Sequence, residues 1–169
     1  TDNKGHGTHV SGIIAASGGI NGIAKEANIV MIKIMNSSGN GNTLDLISGL
    51  EWCINNASKY NISVISLSLG DSSLNDNYCD SSNNEVTTQI NNAVGKNISV
   101  IIAAGNDNKN NYISWPACIQ NATPVSATDK NDNIASYSNR NWMVKLFAPG
   151  GESTNAQTTS YLIICKAHI

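Results

Sequence analysis

Charged residues are scarce in this chain. Asp, Glu, Lys and Arg make up 13% of its 169 residues, about half the usual share of roughly 25%. The net charge is −2, so there is no basic surplus of the kind that draws nucleic acid or an anionic membrane. Long apolar runs are missing too. Runs such as Val100 to Ala104 are far short of the roughly 20 residues a membrane helix needs, and no membrane span is expected. The four cysteines, at 53, 79, 118 and 165, form no CxxC pair, which argues against a zinc site. The first residues hold neither a starting methionine nor an apolar leader, so the expectation is a piece of a longer reading frame rather than a chain with its own signal peptide. No repeat of solenoid period is visible.

What is present suits one compact domain. Hydrophobic residues make up 40% of the chain, enough for a real core at this length. Cys79 and Cys118 both fall in expected loops and can pair in an oxidising compartment; four unpaired thiols are the alternative. Asparagine is over-used, with 26 copies. Five N-x-S/T sequons, at Asn36, Asn56, Asn61, Asn97 and Asn121, are about what chance gives at that composition, so they say nothing about glycosylation or secretion.

Short β-rich runs alternate with longer amphipathic stretches. Strands are expected over 28–35, 64–69, 100–104, 124–127 and 144–147, and helices over 9–16, 44–59 and 85–96. In the second helix Leu46, Ile47, Leu50, Ile54 and Ala57 recur at helical spacing behind an N-cap at Thr43. Strands separated by helices of this length make βαβ units and a parallel sheet. In such sheets ligands gather beyond the carboxyl ends of the strands. The segments expected there, 36–42, 70–84 and 105–115, are rich in Gly, Asn, Ser and Asp.

Several motifs carry chemistry. The most specific is Gly5-His6-Gly7-Thr8-His9-Val10-Ser11-Gly12. Two histidines three apart can hold a metal, but no HExxH glutamate or nearby cysteine completes a site. The whole pattern resembles the histidine motif of the subtilase family of serine proteases. Ala103-Ala104-Gly105-Asn106 resembles that family's oxyanion-hole motif, and Ser68-Leu69-Gly70 resembles a strand end that lines its substrate cleft. Asn21-Gly22-Ile23-Ala24, Trp115-Pro116-Ala117, Pro124-Val125-Ser126-Ala127-Thr128-Asp129, Ile134-Ala135-Ser136-Tyr137-Ser138-Asn139 and Phe147-Ala148-Pro149-Gly150 resemble further family segments, in family order.

The resemblance implies an α/β fold: a three-layer parallel sheet with helices on both faces, incomplete at both ends. It implies a serine endopeptidase that works through an acyl-enzyme. His6 is then the general base and opens a helix, while His9 is a packed helix residue. Asn106 donates to the developing oxyanion. Ser68, Leu69 and Gly70 form one wall of the cleft and Ala103, Ala104 and Gly105 the facing wall, with peptide backbone added as a strand. The chemical logic stands apart from the name. A serine hydroxyl needs an imidazole to take its proton, and the imidazole needs a carboxylate to orient it.

The sequence departs from the family at both ends. Only five residues precede His6, so the upstream triad aspartate is missing. Asp2 stands where subtilases often carry a second acidic residue and is not assigned to catalysis, although it can shape the cleft edge. The Gly-Thr-Ser-Met-Ala-x-Pro motif of the nucleophile is absent, and Ser160 lacks its flanking residues. Residues 1–160 therefore read as a partial catalytic domain and 161–169 as an atypical end. On this reading the chain by itself is inactive, and the alternative function is a pseudoprotease or peptide-binding fragment. No cofactor is required for the chemistry. Structural calcium is possible in a longer parent but finds no support here, since the segment between Gly12 and Gly22 is short for one such loop and the 71–85 loop reads as solvated. The partner is a peptide or protein substrate, with a propeptide possible in the parent. The location implied by resemblance is extracellular or cell-surface. Gly39-Asn40-Gly41 superficially resembles a dinucleotide turn but has Leu44 where a third glycine belongs.

Overall fold

The computed structural model describes residue 2, residues 4–36, 38 and 40–151, and the backbone of residues 162–167. Ten elements follow one another: α1 (His6–Ala15), β1 (Asn28–Lys33), α2 (Thr43–Asn55), α3 (Ala57–Tyr60), β2 (Ile62–Leu67), α4 (Asn84–Gly95), β3 (Ser99–Ala103), β4 (Thr123–Thr128), β5 (Leu146–Pro149) and β6 (Leu162–Ala167). A short 3-10 turn spans Asp80–Ser82.

Local chemistry sets the helix ends. The Asn42 side chain caps α2 by accepting from the Asp45 N–H at 2.8 Å, and Asn83 caps α4 by accepting from Val86 N–H at 2.9 Å. The cap of α2 thus falls one residue before the expected Thr43. The single helix expected over 44–59 breaks at Asn56. Its side-chain amide donates to the Trp52 carbonyl at 2.9 Å and competes with the helical ladder. The short α3 that follows ends at Asn61, which is left-handed at φ 51°.

The six strands form one sheet in the order β1-β6-β2-β3-β4-β5. β2, β3, β4 and β5 run parallel, and β1 points the same way. β6 runs antiparallel to both of its neighbours, β1 and β2. The expected parallel sheet is present in β2 to β5, and β6 adds one antiparallel strand. Its residues, 162–167, belong to no strand expected from the sequence. Without it, the inner edges of β1 and β2 would leave two rows of unpaired backbone N–H and C=O groups.

One face of the sheet is the core side. Ile65, Leu67, Val100 and Ile102 are at most 1% exposed and meet Leu50 and Ile54 of α2 and Val86, Ile90 and Ala93 of α4. The alternate residues Ser66, Ile101, Ala103 and Val125 are only half-buried. Helices were expected on both faces. Among the described residues α2 and α4 share one face, and α1 packs against β1 and β6. That leaves the opposite face of β2 to β4 half-covered.

Cys79 and Cys118 are joined by a disulfide, so the paired alternative of the sequence reading holds. The Cys79 N–H also donates to the Cys118 carbonyl at 3.1 Å. Cys53, buried in α2, is disulfide-bonded too, which the spacing gave no reason to expect.

Candidate active site

The expected functional residues collect at the carboxyl edge of the sheet. The register pairs Leu67 with Ile102, so Ser68 and Ala103 leave their strands side by side, about 4.8 Å apart by strand spacing. Ser68, Leu69 and Gly70 lie just past the end of β2 rather than inside it. Ala103 ends β3, and Ala104, Gly105 and Asn106 form the turn beyond.

A third extended segment, Ile113-Ser114-Trp115, joins the two walls. The Ser114 N–H donates to the Ala104 carbonyl at 2.9 Å, and the Trp115 carbonyl accepts from the Asp71 N–H at 3.0 Å. Ser114 therefore sits between Gly70 and Gly105. A Cβ on Gly70 would stand 3.3 Å from Ser114 Cβ, and one on Gly105 would collide with Ser114 Oγ. The two glycine-bearing walls converge on one serine. Next to them a cleft of about 200 Å³ is lined by Met35, Gly41, Leu46, Leu69, Gly70 and Trp115.

His6 is the first residue of α1, as expected of a histidine that opens a helix. Gly5 before it is left-handed at φ 76° and offers no side-chain cap. Asp2 supplies the capping acceptors instead. Its carboxylate accepts from Gly5 N–H at 3.0 Å and from the Thr8 N–H and hydroxyl at 2.8 Å each. These bonds hold the Asp2 carboxyl below its ordinary value, the Thr8 N–H contributing most. The His6 imidazole is pulled below its ordinary value mainly by burial, which disfavours the cation. A hydrogen bond to the Ser68 backbone acts the other way, His9 lowers the value further and Asp2 raises it slightly. This places the ring beside the Ser68 backbone. It lies at the same edge of the sheet as the two walls.

His9 differs from expectation. It is exposed, off the side of α1 that packs on β1 and β6. Asn106 is exposed, and no other described residue engages its side chain. Ser160 lies outside the described residues.

A model of the subtilase family matches residues 1–168. The chain belongs to the subtilase family. It is 39% identical over 160 residues to subtilisin-like protease 5 of Arthroderma otae, which covers 93% of this chain and 38% of that protein. It is 37% identical over 160 residues to a cuticle-degrading serine protease of Arthrobotrys oligospora, covering 95% of this chain and 36% of that one. Among solved structures, a cold-adapted subtilisin-like serine proteinase superposes with a TM-score of 0.68 at 35% identity, over 86% of this chain and 48% of the other. Sphericase superposes at 0.75 with 29% identity, over 89% and 54%. The chain thus spans little more than a third of the curated subtilases it matches and about half of the solved ones.

The structure brings His6, the Ser68–Gly70 wall and the Ala103–Gly105 wall of this subtilase chain to one edge. It also adds residues that the sequence reading did not single out. Ser114 belongs to no quoted motif. Asn139 was read only as the last letter of Ala-Ser-Tyr-Ser-Asn. Among 26 asparagines nothing marked it, yet it is fully buried beneath the Asn106 turn.

Proposed function

We propose that this chain is the part of a serine endopeptidase that supplies the general base and an oxyanion donor. His6 takes the proton of a serine hydroxyl and later returns it to the leaving amine. The Asn106 side-chain amide donates to the carbonyl oxygen as negative charge develops on it. The substrate is a peptide, its backbone laid along Ser68, Leu69 and Gly70 with Ala103, Ala104 and Gly105 opposite. No cofactor enters this chemistry. The supporting observation is the convergence at one sheet edge: His6 beside the Ser68 backbone, Ser68 beside Ala103, and Gly105 directly before Asn106. The disulfides suit an oxidising, extracellular setting, and among the described residues no helix is long and apolar enough to cross a membrane.

The 169-residue chain alone carries no Gly-Thr-Ser-Met-Ala motif and no family aspartate upstream of His6. On this reading it does not turn over substrate by itself, and at most it holds peptide in the cleft. A fluorophosphonate probe separates the alternatives. It should label a longer chain that contains the nucleophile and leave the 169-residue chain unmarked. Labelling of the short chain at Ser160 would overturn the assignment of its ends. Failure to label the longer chain would overturn the endopeptidase reading itself.

A further inference from the structure

The turn that carries Asn106 is gripped from below by one side chain. Asn139 is 0% exposed. Its Oδ1 accepts from the backbone N–H groups of Asp107 at 2.9 Å and Lys109 at 3.1 Å. Its Nδ2 donates to the Asp107 carboxylate at 2.9 Å, and at 3.4 Å to the Ala104 carbonyl and to Ser114 Oγ. Its own N–H donates to the Gly105 carbonyl at 2.9 Å, and its carbonyl accepts from Ser126 Oγ at 2.6 Å.

The neighbours of Asn139 extend the grip. The Asn108 N–H donates to the Tyr137 carbonyl at 2.8 Å, and the Arg140 N–H to the Lys109 carbonyl at 2.9 Å. Ala104, Gly105, Asp107, Asn108 and Lys109 are thus all tied to the 137–140 segment. Asn106 alone in that stretch is not, and it is left exposed. Gly105 is pressed so closely against Asn139 and Ser114 that a Cβ there would strike both side chains.

A donor that stabilises a transition state must be fixed before the charge appears, because reorganising it during reaction costs part of what it provides. A buried amide with both ends engaged is the means by which a loop is held to that tolerance. We propose that Asn139 is a positioning residue: it locks both flanks of Asn106 so that the Asn106 amide is preset toward the reacting carbonyl. The proposal rests on Asn106 being the oxyanion donor. It adds that the 137–140 segment, remote in sequence from every quoted site residue, belongs to the catalytic apparatus through that donor.

The test has two arms. In the 169-residue chain, amide hydrogen exchange is followed by NMR in wild type, Asn139→Ala and Asp107→Ala. Asn139→Ala should lower protection at Asp107 and Lys109 by about 10- to 100-fold while residues 100–103 of β3 stay within about threefold. Asp107→Ala removes only the acceptor of the Nδ2 bond, at an exposed position. It should lower protection at Lys109 by about threefold to tenfold and carries the test if the first variant does not fold. Unchanged protection, or equal loss throughout β3, overturns the proposal.

The second arm measures kcat and KM on a peptide substrate in a longer, active chain, with Asn106→Ala as reference. The reference should lose about 100- to 1000-fold in kcat, and Asn139→Ala about tenfold or more with KM within about twofold. If the reference keeps its kcat, the oxyanion reading of Asn106 fails. If the reference falls and Asn139→Ala does not, the oxyanion reading stands and the positioning role is refuted.

Discussion

Gly105→Ala and Gly95→Ala add the same methyl group to the same molecule and should move its stability in opposite directions. Gly105 sits at φ +108°, where an L side chain is strained, and its Cβ would meet the side chains of Ser114 and Asn139. The backbone strain costs about 1–3 kcal/mol. Overpacking against two side chains, one of them wholly buried, costs about 1–3 kcal/mol more. Restricting the unfolded chain returns only about 0.4–1 kcal/mol. The net expectation is a loss of about 1–5.5 kcal/mol, centred near 3 kcal/mol. Gly95 is the last residue of α4, exposed, with nothing within 4 Å of an added Cβ. There alanine should gain about 0.5–1 kcal/mol by lowering the entropy cost of ordering the backbone. Urea unfolding followed by tryptophan fluorescence and circular dichroism reads both effects. At a slope of about 2 kcal/mol per molar urea the Gly105→Ala midpoint should fall by about 0.5–2.8 M. Equal midpoints for the two variants, or a Gly105→Ala loss under about 1 kcal/mol, would refute the view that the Asn106 turn is rigidly seated on Ser114 and Asn139.

Two further expectations concern pH and redox state. Burial holds the His6 pKa below its ordinary value of 6.5, so on acidification the unfolded chain binds this proton first. The neutral-His6 contribution is whole above about pH 6.5 and is lost as the pH falls from there toward the folded pKa. Urea midpoints between pH 7.5 and pH 5 should therefore fall less steeply in His6→Gln than in wild type, and identical slopes would contradict the burial of the ring. The Cys79–Cys118 disulfide closes a loop of 39 residues' separation, for which the chain-entropy model gives about 4 kcal/mol. The double variant Cys79→Ala/Cys118→Ala should lose about 2–4 kcal/mol in the same urea assay, and a loss near zero would show that the two loops hold together without the bond.

Much of the fold was legible because local and global signals agreed. The α4 stripe Val86, Ile90, Ala93 and Val94 reads as one apolar face; the first three are buried and Val94 is exposed at its edge. The run Val100–Ala104 reads as a buried strand, and β3 occupies residues 99–103. The errors have physical causes. Asn56 belongs to an unbroken helical pattern, but its amide prefers a carbonyl of the preceding turn. β6 was not expected as a strand, and the otherwise unpaired inner edges of β1 and β2 explain its place.

The site divides along the same line. Residues that face the cleft carry a pattern: glycines where two walls approach, a histidine at a helix start, an asparagine after a strand. Residues that hold those walls in place carry none, because their role depends on contacts across 25 to 35 positions of sequence. Ser114 and Asn139 are of that kind. Each is a common residue in an ordinary-looking segment, and only the fold shows that both close on Gly105. A motif reading of such a chain therefore recovers the groups proposed to touch substrate and omits the ones proposed to fix their geometry. Substitutions at 114 and 139 should accordingly change function without altering any residue that a motif would mark.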